Sequence, residues 1–353
     1  MNMRRIGKVI LVIFGAAILL LCIGTAVLAI PRTPSSAQSL EFQGYISLPK
    51  GSRLRSFTAL DYVSIVGPNL FVTNVLSGEV YKVVLPADPA KDIPKVSVFR
   101  QEPQAHGVAV DPISHLGFVT RSGVNTVDVF DPDSMRLIKR ISVAETPDAI
   151  IYDPHHKLLY VSNSDAKVAT LIDPITLTNI GVIPLGGEPE FPAFDPLTQL
   201  IYQNLRDNNT VAVVDVANRS VVQRWPLTGC DMPTGAAIDA TARRLFVICG
   251  KSATFVSLDL NTHQIVASLP IGGLPDSVAY DPELHRIYTT GLAGVMTVIQ
   301  EDGPNTYRIL DNIRLHYGAH TLAVDAATHR VYAAYLSLFI RPRLAVFAPR
   351  RER

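Results

Sequence analysis

One feature narrows the possible folds of this chain more than any other: it repeats itself. Seven times an apolar run closes on an aspartate, at Asp61, Asp111, Asp153, Asp195, Asp239, Asp281 and Asp325, with successive spacings of 50, 42, 42, 44, 42 and 44 residues. A period of about 40–45 residues marks a propeller or another stacked array, since a unit that small cannot bury its own apolar face. The unit PDAIIYDPHHKLLYVSNSDAKVATLIDPITLTNIGVIPLGG (147–187) shows the layout. Its four short runs, AIIYD, LLYVSN, VATLID and IGVIPL, are rich in Val, Ile, Leu and Tyr, and turn formers separate them. None is long enough for a helix or carries helical period. The pattern predicts four antiparallel strands per unit, the makeup of a propeller blade. WD40 blades need recurring Trp-Asp pairs, and this chain has one tryptophan, Trp225.

The ends of the repeat predict how the ring closes. The last unit supplies three strands before the chain runs out, and LEFQGYISLPKG (40–51) precedes the first unit as a lone fourth strand. Pairing it with RLAVFAP (343–349) would complete an all-β, seven-bladed β-propeller and leave few exposed edges. The propeller then occupies 40–350, after a polar linker at 31–39 and before a basic tail at 351–353.

Ahead of the linker, Arg4, Arg5 and Lys8 precede an uncharged apolar run from Val9 to Ile30. As a helix that run spans roughly 30 Å, the thickness of a bilayer core. It predicts a transmembrane helix in 1–30, an uncleaved signal anchor whose basic end stays in the cytoplasm and whose propeller lies on the extracytoplasmic, periplasmic or cell-surface side. Cleavage after Ala37, giving a secreted protein, is the alternative; the residues before Cys22 do not suit lipidation. A net charge of +1 gives no reason to expect duplex nucleic acid as a partner. Outside the apolar segment stand Cys230 and Cys249, which in an exported chain either form one disulfide or are two separate small buried residues.

On LFVTN (70–74), LLYVSN (158–163), the recurring Asp-Pro turns and IGG (271–273), residues 40–350 resemble the YVTN-repeat, or YncE-like, β-propeller family. The motif has drifted to LGFVTR (116–121), LIYQN (200–204) and LFVIC (245–249) in other units. The resemblance implies the fold. It implies no single activity, because such relatives include ligand binders, nucleic-acid binders and enzymes.

Position within the repeat sorts the polar residues. The aligned aspartates, four of them followed by Pro, are expected to begin turns by accepting backbone N–H groups. His115, His155, His156, His285 and His329 fall in the turn after the first strand and His263 in the turn after the third, so these six should lie on one face as turn residues. His106, His316 and His320 fall on the opposite face. Five residues before each aligned aspartate stand Ser56, His106, Asp148, Glu190, Thr234, Asp276 and His320, all polar and all leading into an innermost strand. They are expected to ring the mouth of the central channel, with Arg121, Asn163, Arg206, Asp207 and Lys251 contributed by loops on the same face. A wet channel mouth must also be polar for purely structural reasons.

Three functions are compatible with this layout. The first is a binding or scaffold module taking a small polar ligand or a partner protein at the mouth; no G-x-S-x-G, H-E-x-x-H, C-x-x-C or phosphate-loop signature is present. The second is a metal-assisted hydrolase, lactonase-like, with a divalent ion held by His106, Asp148, Asp276 and His320. The third and weakest is single-stranded nucleic-acid binding through Arg121, Arg206, Lys251 and the tail RPRLAVFAPRRER, which would need aromatic platforms that the loops do not supply.

Overall fold

A computed structural model describes residues 32–49, 57–86, 92–100, 104–338 and 341–350. The apolar segment 1–30, Ser56 and the tail 351–353 lie outside the described residues. Among the described residues no helix is long and apolar enough to cross a membrane.

The strands form seven four-stranded antiparallel blades arranged as a propeller. Blade 3 is typical, with strands Pro147–Asp153, Leu158–Asn163, Val168–Asp173 and Thr178–Pro184 ordered from the inside outward. Blade 7 takes three strands from the C-terminal region, Ala319–Asp325, Arg330–Leu338 and Arg343–Pro349. Its fourth is Leu40–Ser47, paired antiparallel with Arg343–Pro349 from Leu40↔Pro349 to Ser47↔Arg343. The ring therefore closes as the repeat count requires. A second seam reinforces it, because the start of the first strand of blade 1 (Phe57–Val66) pairs with the second strand of blade 7 through Phe57↔Leu338 and Ala59↔Leu336.

Apolar side chains pack between blades, and each core cluster joins two neighbours. Ala109, Phe118, Val127 and Val129 of blade 2 meet Ile150, Leu159, Val161 and Ile172 of blade 3, and Ala193, Tyr202, Val211 and Trp225 of blade 4 meet Leu245, Val247 and Leu258 of blade 5. Every second strand supplies one large aromatic to these slabs: Phe71, Phe118, Tyr160, Tyr202, Phe246, Tyr288 and Tyr332, none more than 2% exposed. Full burial of such a side chain contributes about 2 kcal/mol.

Near the axis the inner strands approach closely. A Cβ on Gly107 would lie 2.5 Å from the Asp148 carbonyl oxygen of the next blade, which explains the missing side chain. Polar groups on second strands bridge to the neighbouring inner strand: Thr120 Oγ1 donates to Asp148 O at 2.6 Å, and Asn204 Nδ2 to Thr234 O at 2.9 Å.

Six of the seven aligned aspartates act as turn residues. Asp111, Asp153, Asp239 and Asp281 each accept two backbone N–H groups from residues two and three further on. Asp195 and Asp325 each accept one such N–H and a threonine hydroxyl. Some also clasp the next blade, as in Arg243 to Asp195 at 2.7 Å and His329 to Asp281 at 2.8 Å. The turn histidines behave accordingly. His115, His263, His285 and His329 have φ between 49° and 64°, and His155 and His156 donate their N–H groups to Asp153. Asp61 is the exception.

Cys230 and Cys249 are bonded, with Cα atoms 5.2 Å apart, tying the loop that enters blade 5 to the end of its second strand. Replacing both with Ser should cost about 3 kcal/mol, the value for a loop of this size, and lower the unfolding temperature without changing the far-ultraviolet circular dichroism. Deleting residues 40–47 should have a larger effect, since it reopens the ring; a melting temperature unchanged by that deletion would contradict the closure.

Candidate functional site at the channel mouth

Strand register identifies which residues ring the mouth. Blade 3 pairs Pro147↔Asn163, then shifts register before Ile150↔Val161, leaving Asp148 inside a bulge. All seven inner strands share this device, with pairs Leu60↔Asn74, Ala105↔Arg121, Pro189↔Leu205, Pro233↔Cys249, Pro275↔Gly291 and Ala319↔Tyr335 each followed by a shift. A bulge frees one residue from the ladder and re-aims its side chain. The seven residues so placed are Asp61, His106, Asp148, Glu190, Thr234, Asp276 and His320.

Six of these are the residues expected from sequence; the first corrects it. In blade 1 the ring residue is Asp61, because Leu60↔Asn74 is the equivalent of Pro147↔Asn163. Aligning Asp61 with the turn aspartates had displaced the first unit by five residues toward Ser56. The signal was in the spacing: with Asp61 in the ring the outlying gap of 50 becomes 45, beside 42, 42, 44, 42 and 44.

Asp61 organises one side of the mouth. Its Oδ2 lies 2.8 Å from His106 Nδ1, its Oδ1 3.5 Å from His320 Nε2, and His106 Nδ1 is also 3.5 Å from Asp148 Oδ1. His320 is oriented by its other nitrogen, 2.9 Å from Gly318 O. Burial alone would raise the Asp61 carboxyl, but hydrogen bonds and charge from the two imidazoles outweigh it and hold the group at about 2. The converse holds for the imidazoles. Burial disfavours their charge, yet Asp61 raises His106 and, with Asp276, lifts His320 to about 9.

The other carboxyls are pushed upward. Burial, together with repulsion from Asp61 and Asp276, raises Asp148 to about 6 against the charge of His106. Burial and repulsion from Asp148 and Asp276 raise Glu190 to about 8, although Arg206 Nη1 sits 2.8 Å from its Oε1. Burial also raises Asp276. Crowding of acidic groups at the mouth thus favours their protonated forms, Glu190 most of all.

A cavity of about 70 Å³ opens beside this network, lined by Asp61, Glu190, Thr234, Asp276 and His320 at ring level. One residue further along their strands, Tyr62 of blade 1 and Phe191 of blade 4 stack at 5.7 Å and line the cavity, which reaches Val63, Val278 and Leu322 a residue deeper. Both escaped the sequence reading, although a large aromatic stands out where the other inner strands carry Gly107, Ala149, Gly235, Ser277 or Thr321.

The loop candidates divide. Arg206 reaches the ring by pairing with Glu190 and Glu188. Arg121 does not, and its expected place at the mouth is corrected: it is 1% exposed, ends the second strand of blade 2, and bonds Asp128 at 3.3 Å and the Gly78 carbonyl at 3.0 Å. Lys251 is exposed and takes no part in the cavity lining. Asn163 is buried between strands, and Asp207 binds Lys167 and the Glu188 N–H. His316, expected on this face, is 2% exposed and stacks on Tyr335 at 4.8 Å.

Of the four metal-ligand candidates, His106 and Asp148 converge with Asp61, their ligand atoms within 4.8 Å of one another; Asp276 and His320 are not part of that group. A second convergence, Asp239, His285 and Glu301, lies on the opposite face, where the Tyr280 hydroxyl already sits 2.7 Å from both carboxylates.

No protein-family model matches the chain, and no curated protein matches it. Solved structures do. A chain of Kuenenia stuttgartiensis hydrazine synthase superposes with a TM-score of 0.70 at 17% identity, over 83% of this chain and 99% of that one. A chain of a mitotic checkpoint complex superposes with a TM-score of 0.67 at 14% identity, over 92% of this chain and 99% of that one. At these identities the likeness establishes the class, a seven-bladed β-propeller, and nothing narrower.

Replacing Asp61 with Asn should destabilise the fold by on the order of 1–3 kcal/mol, since two charged imidazoles lose their shared partner. The stabilisation is fully present above the ordinary aspartate value of 3.8 and below the ordinary histidine value of 6.5, and is lost as pH falls through about 2 or rises through about 9. Thermal unfolding of both proteins across pH checks this; a gap that stays constant above pH 9 would count against the assignment.

Proposed function

We propose that this chain is a membrane-tethered, extracytoplasmic binding module whose ligand enters the channel mouth. One observation carries the proposal. On the cavity side of the ring, the Asp276 side chain lines the cavity and its carboxylate has no hydrogen bond or ion pair to a described residue. A buried polar group without a partner costs about 1–3 kcal/mol, and a ligand that satisfies it recovers that loss. Support for the tether comes from the Val9–Ile30 run and its basic flank, and the Cys230–Cys249 bond fits an oxidising compartment. A propeller of this shape occurs in a chain of a mitotic checkpoint complex, which is consistent with a protein partner here.

The metal-assisted hydrolase is the second reading, favoured by the convergence of Asp61, His106 and Asp148. His106 and Asp148 would hold a divalent ion with Asp61, and the ion would polarise a carbonyl. Single-stranded nucleic-acid binding loses support, because Arg121 is buried and Arg206 is committed to two glutamates.

A ligand-observed NMR screen of small polar fragments against the full-length protein tests the binding reading. Hits are expected that disappear in an Asp276→Asn variant whose far-ultraviolet circular dichroism matches the parent's. Hits of undiminished strength in that variant would put the site elsewhere.

A further inference from the structure

Building on the membrane-tethered reading above, we infer that the channel-mouth face is the side of the propeller that meets the membrane. It docks through blades 6 and 7 on an anionic lipid surface.

The linker fixes where the apolar segment must leave. Strand Leu40–Ser47 starts toward the opposite face, where Leu40 pairs with Pro349, yet the residues before it carry the chain back to the mouth. Ser35 and Arg314 exchange two hydrogen bonds: Ser35 N–H donates to the Arg314 carbonyl and the Ser35 hydroxyl accepts the Arg314 N–H, both at 3.1 Å. Arg314 ends the outer strand of blade 6 on the mouth side, since it pairs with Val295 directly after the 291–294 turn. Pro34 is buried and lines a small cleft with Tyr45, Leu315 and His316. Arg32 then reaches the mouth face, its guanidinium carbon 4.2 Å from the centre of the Tyr317 ring in the connection that enters blade 7.

Length sets how close the membrane must be. Ile30, the last residue of the apolar run, stands two positions before Arg32, and two residues of extended chain reach at most about 7 Å. The headgroup layer on one side of a bilayer is roughly 5–8 Å deep. A bilayer-embedded run ending at Ile30 therefore puts Arg32 and Tyr317 at headgroup level, a depth that suits interfacial Tyr and Arg side chains. With so short a spacer the mouth face has no room to stand off the membrane.

The surface around Tyr317 has the composition of such a contact. Leu274 and Leu292 are 57% and 44% exposed. They are continuous with Tyr317, because Leu292 N–H donates to the Leu274 carbonyl at 2.9 Å and Gly318 N–H to the Leu292 carbonyl at 2.8 Å. The mouth-face segments 271–275, 291–294 and 315–318 contain no acidic residue. Exposed Lys251 and Arg341 stand on the blade 5 and blade 7 sides of them. Acidic residues of the mouth-face loops collect instead on blades 3 and 4 and the entry to blade 5, at Glu145, Asp165, Glu188, Asp207 and Asp231. An apolar surface flanked by cations binds anionic headgroups, whereas the acidic sector is repelled by them. The disc therefore tilts, with blades 6 and 7 on the lipid and blades 3 and 4 raised. The gap under the raised side keeps the channel mouth open to a ligand.

Fluorescence quenching on the full-length protein tests this in phosphatidylcholine vesicles with and without phosphatidylglycerol. In a Cys22→Ser background an environment-sensitive fluorophore is attached through Leu292→Cys, Asp165→Cys or Leu197→Cys, the last in a turn on the opposite face and 64% exposed. A lipid spin-labelled at its headgroup is expected to quench the label at 292 several-fold more than at 165 or 197. Lys251→Glu with Arg341→Glu should abolish the part of that quenching that depends on phosphatidylglycerol. Quenching at 197 equal to or above that at 292 overturns the orientation. Quenching at 292 indifferent to phosphatidylglycerol and to the charge reversal overturns the anionic surface. No quenching at any position, in protein that stays with the vesicles through a carbonate wash, overturns the docking while the tether stands, and leaves the apolar sector to a protein partner. Release by carbonate of a chain that begins at Gln38 removes the tether and the docking together. The fragment screen reads the channel mouth independently of all these outcomes.

Discussion

Packing between blades is the interaction on which the rest of this structure depends. A single four-stranded blade has two apolar faces and cannot bury either one alone. Each second strand places a large aromatic, such as Tyr160 or Phe246, into a slab shared with a neighbour, and the slabs become mutually satisfied only when the circle is complete. That is why the chain uses its first strand to finish its last blade, and why blades 7 and 1 are also joined backbone to backbone. Polar clasps such as Arg243 to Asp195 add specificity at the same interfaces.

The channel mouth follows from the same geometry. Seven inner strands converge on one axis, and a bulge at the same place in each turns one side chain toward the mouth. Convergence forces charges together. Asp61 resolves part of the problem by bridging His106 and His320, which leaves a closed network on one side of the ring. On the other side Asp276 has no hydrogen bond to a described residue, and the cavity lies there. This asymmetry arises from seven nearly equivalent positions.

Much of the fold was legible in the sequence because its signals are local and repeated. Asp-Pro turns, strand-length apolar runs and a period near 42 residues define blades, and the blade count defines closure. The ring was legible at six positions for the same reason. It failed in blade 1, where no Asp-Pro marks the turn and Asp61 stood in for it. Arg121 failed differently. It reads as a loop cation, but its strand runs one residue further than the sequence shows, and the guanidinium is drawn between blades by Asp128 and the Gly78 carbonyl.

The sequence by itself determined the blade, the number of blades and the polar character of the mouth, since these depend on residue type and spacing along the chain. Tertiary structure decided which groups at the mouth neutralise one another, that Cys230 meets Cys249, and that Tyr62 stacks on Phe191 beside the cavity. Those outcomes depend on distances between residues tens to hundreds of positions apart, which are fixed only when the ring closes.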